Sequence, residues 1–302
     1  MDLVEKIKIL KIKKKAVILA HYYTLPEVQE IADCLGDSLA LAQYARQTEA
    51  ESIVFAGVHF MAETAKILNP DKRVLIPDFA SHCSLADTCD VAEFRVFKEK
   101  HPDYKVISYI NCSSGIKALS DVICTSGNAE KIVKSFAEDE KIIFAPDKNL
   151  GNYLNHKLGR NMLLWNGACH VHNRLQVADY LKIKEKYPES VFIAHPECPP
   201  ELVDLATFAG STTALIGFVS ETDYPLYVIA TENGILHEMK KKFPEKRLMI
   251  LEGSCGCQCD YMKLNTLEKI YDCLENGSNE IFMDSEKMEA ARKPILKMLS
   301  LS

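Results

Sequence analysis

Residues 190–197 read SVFIAHPE, an apolar run that stops on a polar cluster, and the same design stands twice more, as AVILAHYY at 16–23 and KVISYIN at 105–111. Each run is strand-like and each is followed by a stretch of helical character. Ser38 lies 17 positions after His21, Ser126 17 after Tyr109 and Thr212 17 after His195, so one hydroxyl recurs at one offset. These hydroxyls sit in GDS (36–38), CTSGN (124–128) and GSTT (210–213), where Gly, Asp or Asn can turn the chain and Ser or Thr can cap a helix. A helix start of this kind, or a loop with free backbone N–H groups, suits a phosphate or a carboxylate.

Further apolar runs follow in the same order in each copy. The second set is SIVFAGV (52–58), KIIFAPD (141–147) and PLYVIAT (225–231), and the third is RVLIPD (73–78), NMLLWNG (161–167) and RLMILEG (247–253). Strands alternating with helical segments of this length imply βαβ units and parallel sheets. The expected architecture is therefore α/β, with three homologous parallel-sheet domains in a pseudo-threefold arrangement. The units are expected at 1–101, 102–187 and 188–279, with 280–302 a helical segment packing back on the first.

Each copy also finishes on cysteine. Cys83 and Cys169 are 86 residues apart and Cys169 and Cys259 are 90 apart, each just beyond the third strand-like run. Ligands of α/β folds gather at the C-terminal ends of parallel strands. Three related units around a shared centre would bring three thiols and three polar strand ends to one point.

Composition bounds what the thiols do. A chain of 302 residues, 47% hydrophobic and 26% charged, can bury a large core. Its N-terminus, MDLVEKIKILKIKKK, interleaves lysines among apolar residues and lacks the apolar core of a secretory signal; no stretch of membrane-spanning length occurs. A cytoplasmic location is expected, with no membrane partner. In a reducing compartment, 11 cysteines point to metal or catalysis for a few and to core packing for the rest. A net charge of −6 argues against a nucleic-acid partner.

Structural zinc takes four ligands, commonly at short local spacings, whereas here three distant loops supply one thiol each. A cubane [4Fe–4S] cluster is large enough to bridge them, and three thiolates leave one iron open as a Lewis acid.

The ordered set AHYYTLPEVQEIAD, GDS, GVHFMAE, YINCSS, DVICTSGNA, APDKNLG, HPECP, GST, ATENG and CDYMKLNTL resembles the quinolinate synthases over nearly the whole chain. The resemblance implies condensation of iminoaspartate with dihydroxyacetone phosphate to give quinolinate, losing phosphate and two waters, in NAD biosynthesis. It also implies three α/β domains around a [4Fe–4S] cluster held by Cys83, Cys169 and Cys259, and a transient partner that supplies iminoaspartate. The third thiol is chosen because the family's ligand opens a Cys-x-x-Met stretch, here Cys259 to Met262. In GSCGCQCDYMK (253–263) the thiols at 255, 257 and 259 would face one side if the chain were extended, and a turn through Gly256 would separate them. Many relatives space these cysteines by two residues, so no role carries over to Cys255 or Cys257.

Matched residue by residue, the substrate-facing set is His21, Ser38, Tyr109, Asn111, Ser126, His195, Glu197 and Thr212. Tyr23, His195 and Glu197 are the expected acid/base groups. Glu197 is the expected base, its pKa raised by burial and lowered again by the metal. His82, His170 and His172 could serve as zinc ligands, but histidines next to a ligand Cys are expected beside the ligands or exposed; Phe60 and Met61 are expected on the cavity wall or in the core. A reading from another class is a zinc-stapled, triplicated module that binds anionic metabolites without catalysis.

Overall fold

The computed structural model describes residues 1–253 and 256–302. Cys255 therefore lies outside the described residues. The three quoted runs become β1 (Ala16–His21), β5 (Lys105–Tyr109) and β9 (Val191–Ala194), each interior to its own four-stranded sheet. The first sheet adds β2 (Cys34–Gly36), β3 (Ser52–Ala56) and β4 (Arg73–Leu75). The second adds β6 (Val122–Cys124), β7 (Ile142–Ala145) and β8 (Leu163–Leu164). The third adds β10 (Phe208–Ala209), β11 (Tyr227–Ala230) and β12 (Leu248–Ile250).

Strand order is the same three times: β2-β1-β3-β4, β6-β5-β7-β8 and β10-β9-β11-β12, all parallel. The expected α/β class with three similar units is present. Strands β3, β7, β9 and β11 are buried at every residue, because helices cover both faces of a parallel sheet. The sequence reading found three strands per unit and missed a fourth. Strands β2, β6 and β10 are two or three residues long, too short to carry a period.

The chain after the third sheet corrects another expectation. Residues 279–281 do return to the first unit, where Asn279 O accepts from Ile76 N–H and Ile281 N–H donates to Val74 O on β4. The helix Leu267–Asn276, assigned to the third unit, packs on the N-terminal helix Leu3–Lys13 and on β3. The last helix, Ser285–Ser300, instead lies mainly on β6 and the helix Ser114–Ala118 of the second unit, with a smaller contact to the first-unit helix His59–Leu68. Its stripe of Ala291, Ile295 and Met298, at i, i+4 and i+7, is fully buried. That stripe covers the edge strand β6, which would otherwise stand open.

No helix of the described residues is long and apolar enough to cross a membrane.

Candidate active site

The first strands of the three units end around one cavity. His21, Tyr23, Tyr109, Asn111, His195 and Glu197 line it from these strand ends, and Ser38, Ser126 and Thr212 from the hydroxyl motifs. Cys83, Cys169 and Cys259 line it too, as do Phe60 and Met61. The expected substrate-facing, acid/base and cluster residues thus line one cavity, from three units.

Two of the strand ends fold alike. Tyr23 N–H donates to His21 Nδ1 at 3.2 Å, and Glu197 N–H donates to His195 Nδ1 at 3.3 Å. With Nδ1 accepting, each neutral ring carries its proton on Nε2. Burial pushes His21 down to about 4 and His195 down to about 3, so both rings are neutral near pH 7. His195 Nε2 lies 3.3 Å from Ser126 Oγ, a contact between the third and second units.

The hydroxyls differ in setting. Ser38 and Thr212 are first residues of the helices Ser38–Gln47 and Thr212–Glu221, capped by Asp37 and Ser211. A Cβ on Gly36 or Gly210 would lie 2.9 Å from the Cβ of Ala40 or Ala214, so the tight strand-to-helix turn excludes a side chain. Ser126 stands in a longer loop, braced by Asn128, whose Oδ1 accepts from Thr125 N–H at 2.6 Å and whose Nδ2 donates to Ser302 Oγ at 2.7 Å.

Glu197 is 3% exposed, and burial alone would push its carboxyl up. The charge and hydrogen bond of His172, then His195 and the Tyr109 hydroxyl, outweigh burial and hold it at about 2. Tyr109 Oη donates to Oε1 at 2.5 Å and His172 Nδ1 lies 3.3 Å from Oε2. Protein groups alone thus lower this carboxyl against its burial. Tyr23 Oη sits 2.8 Å from Thr212 Oγ1 and 2.7 Å from Thr231 Oγ1, and burial keeps both Tyr23 and Tyr109 protonated.

The thiols share a local design. Cys83 and Cys259 each precede a one-turn helix, and Cys169 precedes the turn His172–Arg174. Burial pushes Cys83 up to about 12, Cys259 up to about 11 and Cys169 well above the ordinary thiol value. Backbone N–H groups oppose this at every sulfur: Ala86 and Leu85 at Cys83, His172 at Cys169, Met262 and Tyr261 at Cys259. Sulfurs that are buried yet faced by amide donors suit metal-bound thiolates. Cys257 differs. It is fully buried and its thiol donates to Thr231 O at 2.8 Å, next to Gly256, whose φ is +69°, whereas Cys259 lines the cavity.

Of the histidines expected beside the ligands or exposed, His172 is buried, with Nδ1 3.2 Å from Cys169 Sγ and Nε2 3.0 Å from Thr231 Oγ1. Its hold on Glu197 and two further contributors, Glu232 and Lys117, escaped the sequence reading. His170 is half-buried and bonds Ser84 through Nδ1, and His82 is exposed. Glu232 ties the third thiol loop down, accepting from Cys259 N–H at 3.0 Å and pairing with Lys263 Nζ at 2.9 Å. Lys117, fully buried, donates to Cys112 O and lies 5.2 Å from the centre of the Phe60 ring, bracing the turn that carries Asn111 against the first unit. Asn111 Oδ1 itself is buried without a hydrogen-bond partner among the described residues.

The family model described as Quinolinate synthetase A protein matches residues 5–300. The chain belongs to the quinolinate synthase family. Proteins named quinolinate synthase from Chloroherpeton thalassium and Synechocystis sp. are each 52% identical to it, over all of this chain and 95% and 96% of theirs. A third, from Nostoc sp., is 49% identical over all of this chain and 94% of its own. As a member of the quinolinate synthase family, the chain is an enzyme.

Proposed function

We propose that this enzyme condenses iminoaspartate with dihydroxyacetone phosphate, with loss of phosphate and two waters, to form quinolinate for NAD biosynthesis in the cytoplasm. The observation that carries this reading is the meeting of one thiol from each unit with three polar strand ends at one cavity. Cys83, Cys169 and Cys259 would hold a [4Fe–4S] cluster, which supplies a Lewis-acidic iron when bound. The buried, amide-faced sulfurs fit such a group.

Both substrates are anions, yet no lysine or arginine is among the described residues lining the cavity. The helix starts at Ser38 and Thr212 fill that role with hydroxyls, N–H groups and the positive ends of their dipoles. His21 and His195 add neutral Nε2–H donors. Asn111 Oδ1 accepts from an N–H or O–H of the substrate, which a carboxylate or phosphate does not offer and an imine or hydroxyl does. Glu197 takes the proton, with His172 Nδ1 3.3 Å from Oε2 and the Tyr109 hydroxyl on Oε1 holding the carboxylate in place. Tyr23, held protonated, donates a hydrogen bond or a proton to a leaving oxygen. A partner enzyme would deliver the iminoaspartate.

The test is anaerobic purification with iron–sulfide reconstitution. Brown protein with about four irons and four sulfides per chain, forming quinolinate from the two substrates, is expected. Reconstituted protein that forms no quinolinate but binds anionic metabolites beside a zinc ion would overturn the proposal in favour of a non-catalytic module.

A further inference from the structure

Cys169, His172 and Glu197 offer one ligand atom each, all within 4.8 Å of one another and all deep in the cavity. His172 Nδ1 stands 3.2 Å from Cys169 Sγ and 3.3 Å from Glu197 Oε2. Around tetrahedral zinc, bonds of about 2.0–2.3 Å separate neighbouring ligand atoms by roughly 3.3–3.7 Å. Two edges of such a site are therefore almost formed.

The outer contacts are those that fix metal ligands. His172 Nε2 meets Thr231 Oγ1 at 3.0 Å, and the second oxygen of Glu197 takes the Tyr109 hydroxyl at 2.5 Å. Partners of this kind set the ring tautomer and hold the carboxylate. A thiolate, a carboxylate and a neutral imidazole also balance a doubly charged ion, which a buried site requires. Neither Cys83 nor Cys259 is needed.

We propose that the enzyme without its cluster binds one zinc-class divalent ion through Cys169, His172 and Glu197, with water in the fourth position, and that this ion blocks cluster assembly. Binding releases the Cys169 thiol proton to solvent. The blocking clause rests on Cys169 being a cluster ligand; the binding clause does not. Metal occupancy would thus govern whether the chain can take up its iron–sulfur group.

Co²⁺ is the probe, titrated into the reduced, cluster-free full chain without oxygen and displaced by Zn²⁺. One ion per chain is expected, with tetrahedral d–d bands and charge transfer from a single thiolate. The Cys83→Ala/Cys259→Ala double variant should keep these bands. Cys169→Ala and His172→Ala should lose them, and Thr231→Val should bind about 10- to 100-fold more weakly. Circular dichroism shows whether each variant is folded, and Thr231→Val removes no ligand, so it decides the matter should His172→Ala unfold. One equivalent of Zn²⁺ should prevent iron–sulfide reconstitution of the unaltered chain but not of His172→Ala. Cobalt binding that requires Cys83 and Cys259, or that survives in His172→Ala, overturns the proposal. If the double variant keeps the cobalt bands but the unaltered chain assembles no cluster, the iron–sulfur reading fails and this site stands.

Discussion

The first and third units bring their hydroxyls to the cavity in one way and the second unit in another. Gly36-Asp37-Ser38 and Gly210-Ser211-Thr212 pass straight from strand to helix, and both glycines are held there by contact with the following turn. The second unit has Cys124 at the equivalent position and does not start its helix until Ala129. Freed of that tight turn, it accommodates a side chain but needs outside support, which Asn128 and Ser302 give. The strand ends divide likewise. His21 and His195 sit in matching turns, while the second unit presents Tyr109, whose hydroxyl serves Glu197 of the third. One scaffold used three times thus gives two helix starts at the cavity and one arm whose hydroxyl holds Glu197.

The thiols are where the three units should be most alike, so the largest effects are expected there. Cys83→Ala, Cys169→Ala and Cys259→Ala should each abolish the broad iron–sulfur absorbance and all quinolinate formation, because two thiolates hold a cubane poorly. Changing Cys255 and Cys257 together should leave both largely in place, at a stability cost of about 1–2 kcal/mol for the lost burial and hydrogen bond of Cys257. A Cys259→Ala protein that keeps its absorbance would break the equivalence of the units.

Two residues past His21, Tyr109 and His195 the units diverge, and the next largest effects should follow that divergence. Glu197→Gln keeps the shape and loses the charge, so turnover should fall about 10²-fold or more with the absorbance unchanged. Tyr23→Phe, at the matching position of the first unit, should fall by about tenfold or more, since a donor but not the base is removed. Equal losses in steady-state kinetics would show that the two positions do not have separate roles.

The smallest effect concerns acid stability. Unfolded histidine protonates near 6.5, whereas burial holds folded His21 at about 4 and His195 at about 3. The unfolded chain therefore binds more protons below 6.5, and the stability present above that pH is lost as pH falls. Each histidine should cost about 1.4 kcal/mol per pH unit between roughly 6 and 4. Urea unfolding of the cluster-free chain at pH 7 and 5 measures this, and His195→Asn should flatten the slope. An unaltered slope would mean that His195 is not buried neutral. The matching strand-end residue of the second unit adds nothing here, because Tyr109 does not titrate in this range.

Much of this was legible in the residues alone. Three copies of one order of runs determined three parallel α/β units, because a buried parallel strand must be apolar throughout and must end where its polar residues can face a ligand. The constant offset from strand end to hydroxyl, and one thiol per copy, likewise named the residues that meet at the cavity. Their meeting is a matter of repetition, which a linear chain can display.

Contacts between units are not displayed in that way. The spacing from Cys169 places His172 near that thiol, but nothing in the chain announces its contacts with Glu197 and Thr231, which come from the neighbouring unit. The same holds for Lys117 beneath the Asn111 turn and for Glu232 on the Cys259 amide. The ionisation of Glu197 depends on such contacts: burial can be guessed from a sequence, but the protein groups that outweigh it are fixed only by packing. The last helix, too, went to the second unit because β6 had an uncovered edge there, and edge exposure is a property of the assembled sheets. Local order and periodicity are set by the chain itself; proximity across units, and the electrostatics that depends on it, exists only once the three sheets have come together.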